Sequence, residues 1–292
     1  MADSGQEIVP VSFTKAWHSQ PYPFISPTRP ELSAKGKNIV ITGGGTGIGN
    51  AIGVAFAKAG ANSIAIIGRR ADKLAAGVSA ISEAAAASSS DMTTTVFHMV
   101  ADLVDKGQTT KAFDAIAAKV GKIDVLVSNA GASVEVGPMA TYSAQTFRQA
   151  FELNVVTGLH AFQAFLPHAS PGRSVVLNST TALAHIAPWA NVGAYPAAKA
   201  AALKMWDQIA KENTHLRVVS VHPGWVPTDL NGHQKGATDS GESSLFFGCF
   251  FGCFFGYPSL LTHSFLFLKR SSSILMKERK IIRLTNNPGP DM

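Results

Sequence analysis

The sequence predicts an α/β fold, a doubly wound parallel sheet flanked by helices and built as a single domain with an aberrant C-terminal segment. From Lys37 onward, short β-rich runs alternate with Ala-rich stretches of helical length, the pattern of successive βαβ units. A glycine cluster, Thr42 to Gly49, falls where the first strand hands over to the first helix. The chain of 292 residues is 46% hydrophobic and only 15% charged, which describes a polypeptide that buries a core.

The elements follow in order. Residues 1–34 read as an N-terminal extension: they lack an apolar signal-peptide core and carry prolines at 10, 21, 23, 27 and 30. Residues 35–236 form the α/β domain. Its strands are Asn38 to Thr42, Ser63 to Ile67, Thr95 to Ala101, Ile123 to Val127, Ser174 to Thr180 and Leu216 to Val221. Right-handed helical crossovers join them into an open sheet. The run AAAASSSDMTTT, Ala84 to Thr95, is polar and low in complexity and reads as a surface loop. Residues 237–292 break the pattern. Leu245 to Leu268 has no charged residue, repeats FFGC, FFGC, FFGY, and holds 8 of the 17 phenylalanines.

Charge and cysteine usage narrow the function classes. The net charge is +6, divided as +4 over residues 1–236 and +2 over residues 237–292, so no segment gathers basic residues as nucleic-acid binders do. Cys249 and Cys253 both lie in the phenylalanine-rich block, so the α/β domain has no thiol for a disulfide, a metal or a nucleophile. No metal site is expected. A reducing, cytoplasmic location fits, with membrane association through residues 245–268 as the less favoured alternative.

The glycine cluster Thr42-Gly43-Gly44-Gly45-Thr46-Gly47-Ile48-Gly49 gives the chain its sharp strand-to-helix turn. It also lets backbone approach a pyrophosphate, which the N–H groups and dipole of the helix N-terminus then favour. Where an NAD-selective fold presents Asp or Glu to the ribose 2′-hydroxyl, at the end of the second strand, this chain has Arg69 and Arg70. Guanidinium groups match a phosphate, so NADP is the expected cofactor and NAD the less favoured one. The competing structural reading is two arginines on a surface turn.

Tyr195-Pro196-Ala197-Ala198-Lys199 opens an Ala-rich helical run, and a spacing of four puts Tyr195 and Lys199 on one face. A phenol ordinarily titrates near pH 10. An adjacent ammonium and a cationic nicotinamide favour the phenolate, which suits proton exchange with a carbonyl or alcohol oxygen while the nicotinamide handles the hydride.

Taken together, these motifs resemble the short-chain dehydrogenase/reductase family, over about residues 35 to 235, and in particular its fungal members. TGxxxGIG matches Thr42 to Gly49, NAG matches Asn129-Ala130-Gly131, YxxxK matches Tyr195 to Lys199, and the PG-xVxT segment matches Pro223-Gly224-Trp225-Val226-Pro227-Thr228. The resemblance implies a Rossmann-type sheet and NAD(P)-dependent interconversion of a small-molecule carbonyl and a secondary alcohol. It implies that Thr42, Gly43, Thr46, Gly47, Ile48 and Gly49 form the phosphate loop, with Asp102 at the adenine and Asn129 and Gly131 at its ribose. Pro223, Gly224, Val226 and Thr228 fall at the nicotinamide end. Asn154 is implied in the proton relay through its backbone carbonyl, Tyr195 as acid/base, and Lys199 as ligand of the nicotinamide ribose and depressor of the Tyr pKa. Asn154 bonding locally in a helix and Asp102 shaping a turn are the structural alternatives. Homo-oligomers through helices around Phe147 and Leu203 are also implied.

Three departures stand out. In Asn178-Ser179-Thr180-Thr181, Thr181 occupies the position of the family's substrate-binding serine by ungapped count, and a shift of register presents Thr180 or Ser179 instead. Pro196 is expected to push Tyr195 out of the helix to its N-cap. After Thr228 the family's closing helix and seventh strand give way to the phenylalanine-rich block, with Lys280 to Thr285 as a candidate strand. Leu245 to Leu268 reads as a membrane span, a substrate lid, or translated intron or shifted frame, the last being favoured. The functional expectation is an NADP-dependent oxidoreductase, with a nucleotide-binding pseudoenzyme lacking a complete substrate lobe as the alternative.

Overall fold

The computed structural model describes residues 22–88, 93–172, 174–184, 190–223 and 226–232. Six parallel strands form one sheet: β1 Asn38–Thr42, β2 Ser63–Gly68, β3 Thr95–Val100, β4 Val125–Ser128, β5 Val175–Ser179 and β6 Arg217–Val221. Their spatial order is β3-β2-β1-β4-β5-β6, so the chain reverses its direction of travel across the sheet between β1 and β4. Ile39 pairs with Val125 and Val40 with Leu126 at this switch. In doubly wound folds the carboxyl ends of the strands at such a switch are the general ligand position.

The helices are α1 Gly47–Lys58, α2 Ala71–Ala87, α3 Lys106–Val120, α4 Ala144–Phe151, α5 Thr157–Phe165 and α6 Tyr195–Glu212. Strand residues are buried on both faces, as a sheet covered by helices requires: Ile39, Ile41, Ile64 and Ile66 pack with Phe56 and Ile52 of α1, and Val40, Ile67, Leu126 and Val176 pack with Phe113, Phe165 and Trp206. Leu32 and Ala34 join the first of these cores, so the end of the N-terminal extension is an integral part of it. The strands' amino ends are tied by a polar cluster. Asp124 accepts from the Asn38 N–H at 3.0 Å and from Lys37 Nζ at 3.4 Å, and Asn38 Nδ2 donates to the carbonyls of Val120 and Lys122.

Each expected strand is present, with shifts at the ends. Ile123 lies outside β4 and makes an isolated bridge to Ala169, because β4 begins only where β1 and β5 run alongside it. The alanines 84–87 are the last turn of α2 and not loop, since alanine favours the helix and Ile81 anchors the preceding turn in the core. Leu245 to Leu268 and Lys280 to Thr285 lie outside the described residues. Among the described residues no helix is long and apolar enough to cross a membrane.

Candidate active site

The glycine loop joins β1 to α1, and its glycines are set by their neighbours. A Cβ on Gly44 would stand 2.5 Å from Ile66 Cγ2, and one on Gly49 would stand 2.3 Å from the Gly43 carbonyl oxygen. Gly47 adopts φ +53, and a side chain there would meet Thr228 Cγ2 at 3.2 Å. Thr46 is the N-cap of α1 without a side-chain cap hydrogen bond, so the first N–H groups of the helix have no help from its hydroxyl. This glycine-lined helix start fits a pyrophosphate.

Asn129 and Thr42 hold that loop against β4. Thr42 is buried, and its hydroxyl donates to the Val127 carbonyl and accepts from the N–H groups of Asn129 and Ala130 at 3.0 and 3.1 Å. Asn129 Nδ2 points to the carbonyls of Thr42 and Gly43 at 3.3 and 3.4 Å. The side chain of Thr42 therefore serves the join between strands. Ile48 is partly buried against the core under α1.

Arg69 and Arg70 are both exposed at the end of β2. Arg70 leans over the loop, with Nη2 3.4 Å from Thr46 Oγ1 and 3.7 Å from Asp229 Oδ2, and so spans the mouth of the cleft. Asp102 shapes the turn after β3, its Oδ1 accepting from the Val104 N–H at 3.1 Å. Pro223, Val226 and Thr228 are half-buried beyond β6. Gly224 lies outside the described residues.

The residues expected to react lie together beyond the carboxyl ends of β4 and β5. Lys199 is 7% exposed and donates to the Ser179 carbonyl at 3.3 Å. A Cβ on Gly131 would lie 3.2 Å from Lys199 Nζ and 2.7 Å from Asn154 Oδ1, so these three residues meet at one point. Asn154 sits in a π-helical turn, Glu152–Val156, that links α4 to α5. Its side chain clamps the loop after β4, accepting from the Ala132 N–H at 3.2 Å and donating to the Ala132 and Ala150 carbonyls. The widened turn was not legible in advance, because nothing in ELNVV distinguishes it from an α-helix; π-turns do concentrate at functional sites.

Tyr195 is the first residue of α6, with Ala194 as N-cap, and not the cap itself. Pro196 is tolerated because the first-turn N–H it lacks has no intrahelical partner in any case. The Tyr195 ring lies 5.8 Å from Lys199 Nζ. Burial pushes the Tyr195 phenol up to about 12 and the Lys199 ammonium down to about 8. Both shifts come from desolvation, which disfavours the charged form of each group, so the phenol is raised and not lowered as expected. Of the three candidate hydroxyls, Ser179 and Thr180 are buried and Thr181 is half-buried. Among the described residues Thr180 Oγ1 finds no hydrogen-bond partner.

A cavity of about 420 Å³ lies apart from these groups, lined by Tyr22, Pro23, Pro27, Lys58, Ala84 and Ala87. It borders α1 and α2 and contains none of the residues of the glycine loop or of the Tyr195–Lys199 cluster.

The profile of the short chain dehydrogenase family matches residues 37–238. The chain belongs to that family. A short chain dehydrogenase of Monascus ruber is 32% identical over 230 residues, covering 77% of this chain and 74% of the relative. The 7alpha-hydroxysteroid dehydrogenase of Escherichia coli K12 is 30% identical over 201 residues, or 68% of this chain and 74% of the relative. Among solved structures, a 7alpha-hydroxysteroid dehydrogenase complexed with NADH and 7-oxo glycochenodeoxycholic acid superposes with TM-score 0.66 at 26% identity, covering 77% of this chain and 90% of the other. A short chain dehydrogenase from Burkholderia cenocepacia in complex with NADP gives 0.64 at 25% identity, over 75% and 91%. This short-chain dehydrogenase is thus an oxidoreductase with a nucleotide-binding Rossmann sheet, acting on small molecules.

Proposed function

We propose that this dehydrogenase interconverts a carbonyl and a secondary alcohol with NADP as its dinucleotide, Tyr195 serving as acid/base. The observation that carries the reading is the meeting of Lys199 Nζ, Asn154 and Gly131 at one point beside Tyr195, at the end of the sheet where the glycine loop also opens. When bound, the nicotinamide of NADPH supplies the hydride to the carbonyl carbon. Tyr195 Oη gives its proton to the carbonyl oxygen, and an alcohol, NADP⁺ and a phenolate result; the phenol is then reprotonated from water. A phenol pushed up to about 12 is protonated across neutrality, the form that reduction needs.

Other residues bind and orient. Lys199 holds the nicotinamide ribose and keeps a charge beside the phenolate. Asn154 fixes the loop after β4 through Ala132, and its backbone carbonyl serves the proton relay. Thr181 positions the substrate oxygen, because the hydroxyl of Thr180 is sealed from solvent. Thr42, Gly43, Thr46, Gly47, Ile48 and Gly49 form the phosphate loop. Asp102 serves the adenine, Asn129 and Gly131 its ribose, and Pro223, Gly224, Val226 and Thr228 the carboxamide end. Two similar proteins carry NADH and NADP respectively. NADP is favoured here because an acid is missing at the end of β2, where Arg69 and Arg70 stand instead.

The test is Tyr195→Phe, which removes only the proton-transfer oxygen. Turnover of any carbonyl that the parent reduces should fall by roughly 10²–10⁴-fold, with NADPH affinity within about twofold. Turnover near the parent rate would refute the assignment.

A further inference from the structure

Tyr142 follows a short helical turn, Met139–Thr141, and precedes Ser143, the N-cap of α4. Its hydroxyl donates to the Glu135 carbonyl, closing the loop that leaves β4. The same phenol lies under the backbone of Gly193. A Cβ on Gly193 would stand 2.8 Å from both Cε2 and Oη of Tyr142 and 2.9 Å from the Glu135 carbonyl oxygen. Gly193 also adopts φ +70, and Asn191 φ +63, so the chain makes a tight left-handed turn against the ring just before α6.

That turn ends two residues before Tyr195. The start of α6 has little else to fix it: Ala194 offers no side-chain cap, and Pro196 has no N–H. Packing must do what hydrogen bonds do not. Ala194 and Ala198 are fully buried in a small cluster with Ala150, against which Tyr142, Phe147 and Val155 pack. Ala198 directly precedes Lys199, so this cluster grips the helix beside both reacting side chains.

We propose that Tyr142 is a positioning residue, a strut between the loop after β4 and the turn that presents Tyr195. The inference rests on the reading of Tyr195 as the acid/base. It adds that the register of the phenol toward the reacting carbonyl depends on a second tyrosine that touches neither.

Hydrogen exchange and kinetics on the full-length chain test it. In Tyr142→Leu, the amides of Ala198 and Lys199, the first that α6 holds in hydrogen bonds, should lose about tenfold or more in protection while the β1–α1 segment is unchanged. With any carbonyl that the parent reduces, kcat should fall about tenfold to a hundredfold with the Kd for NADPH within about twofold, a split that general loosening would not produce. Tyr142→Phe keeps the ring and should recover most of both losses, leaving the part due to the hydroxyl. Parent-like exchange at Ala198 and Lys199 in Tyr142→Leu overturns the proposal, as does parent-like kcat. A Tyr195→Phe chain that still turns over would remove the acid/base reading, yet the exchange measurement would still decide whether Tyr142 holds the turn.

Discussion

The nucleotide side and the reaction side of the cleft are built on opposite terms. In the glycine loop, backbone lies against backbone or a core side chain. Gly49 faces the Gly43 carbonyl, Gly44 faces Ile66, and Asn129 ties the loop to β4. The glycines there are fixed by close packing, and sequence and stability ask for the same residues. At the ends of β5 and α6, by contrast, an ammonium is buried with a carbonyl as its hydrogen-bond acceptor, and a hydroxyl is buried without a partner. Both features cost stability, and on the proposed function the buried ammonium is there for the chemistry. The difference teaches where substitution should harm the fold and where it should harm only the reaction.

The largest effect is expected on the nucleotide side. Gly49→Ala puts a methyl group 2.3 Å from a backbone oxygen and 2.7 Å from Asn129 Nδ2, so the loop must move. A loss of about 3 kcal/mol or more in unfolding free energy is expected by denaturant titration. A parent-like midpoint would show that the loop is softer than its packing implies.

On the reaction side the sign reverses. Lys199→Met should stabilise the protein by about 1–2 kcal/mol at neutral pH, after the lost bond to the Ser179 carbonyl is counted, while abolishing turnover. Lys199 titrates near about 8 in the fold against 10.5 for an unperturbed lysine, so the unfolded chain binds the extra proton between those values. The penalty is therefore full below about pH 8 and fades as pH rises toward 10.5. The advantage of the variant over the parent should shrink across that window, as unfolding curves at several pH values would reveal.

A third test concerns the edge between the two regions, where Arg70 crosses from the glycine loop to Asp229. NADPH should bind at least about tenfold tighter than NADH, since a charge-assisted contact to the 2′-phosphate contributes about 1.5–3 kcal/mol. Replacing Arg69 and Arg70 together by alanine should erase the preference in a fluorescence titration. Equal affinities in the parent would count against NADP.

The smallest effect is the most discriminating. Thr180→Val keeps the shape and removes the unpartnered hydroxyl, so a gain of about 1 kcal/mol is expected with turnover retained. Thr181→Val should instead lower kcat. If Thr180→Val is the inactive one, the hydroxyl that meets the substrate is Thr180, and it must turn outward to do so.

How much of this was legible in the sequence follows the same division. All six strands, the glycine loop and the Tyr195–Lys199 face were readable because each rests on local spacing: a β-rich run, a glycine at a turn, a separation of four on a helix. The helical alanines 84–87 were missed because AAAASSS reads as low complexity, whereas the anchoring of that turn through Ile81 is a tertiary fact. The place of Tyr195 inside α6 was missed by one residue for a related reason. The constraint that proline sets on its predecessor is real, but buried Ala194 and Ala198 hold the first turn in place. Neither Tyr142 nor Gly193 carries any local signal. Their meeting depends on a loop and a turn about fifty positions apart, and only the fold brings them together.

The pairing of β1 with β4 also has a consequence in time. Ile39 cannot find Val125 until the β2 and β3 units have been made, and Lys199 cannot reach the Ser179 carbonyl until α6 has been made in turn. During synthesis the glycine loop leaves the ribosome early and waits beside an open central strand. Non-local parallel pairing of this kind closes slowly, and until it closes β1 is a bare edge in an incomplete sheet. The centre of the finished sheet is therefore the part most exposed to misassembly while the chain is young, and the supply of active enzyme depends on how quickly β4 arrives to cover it.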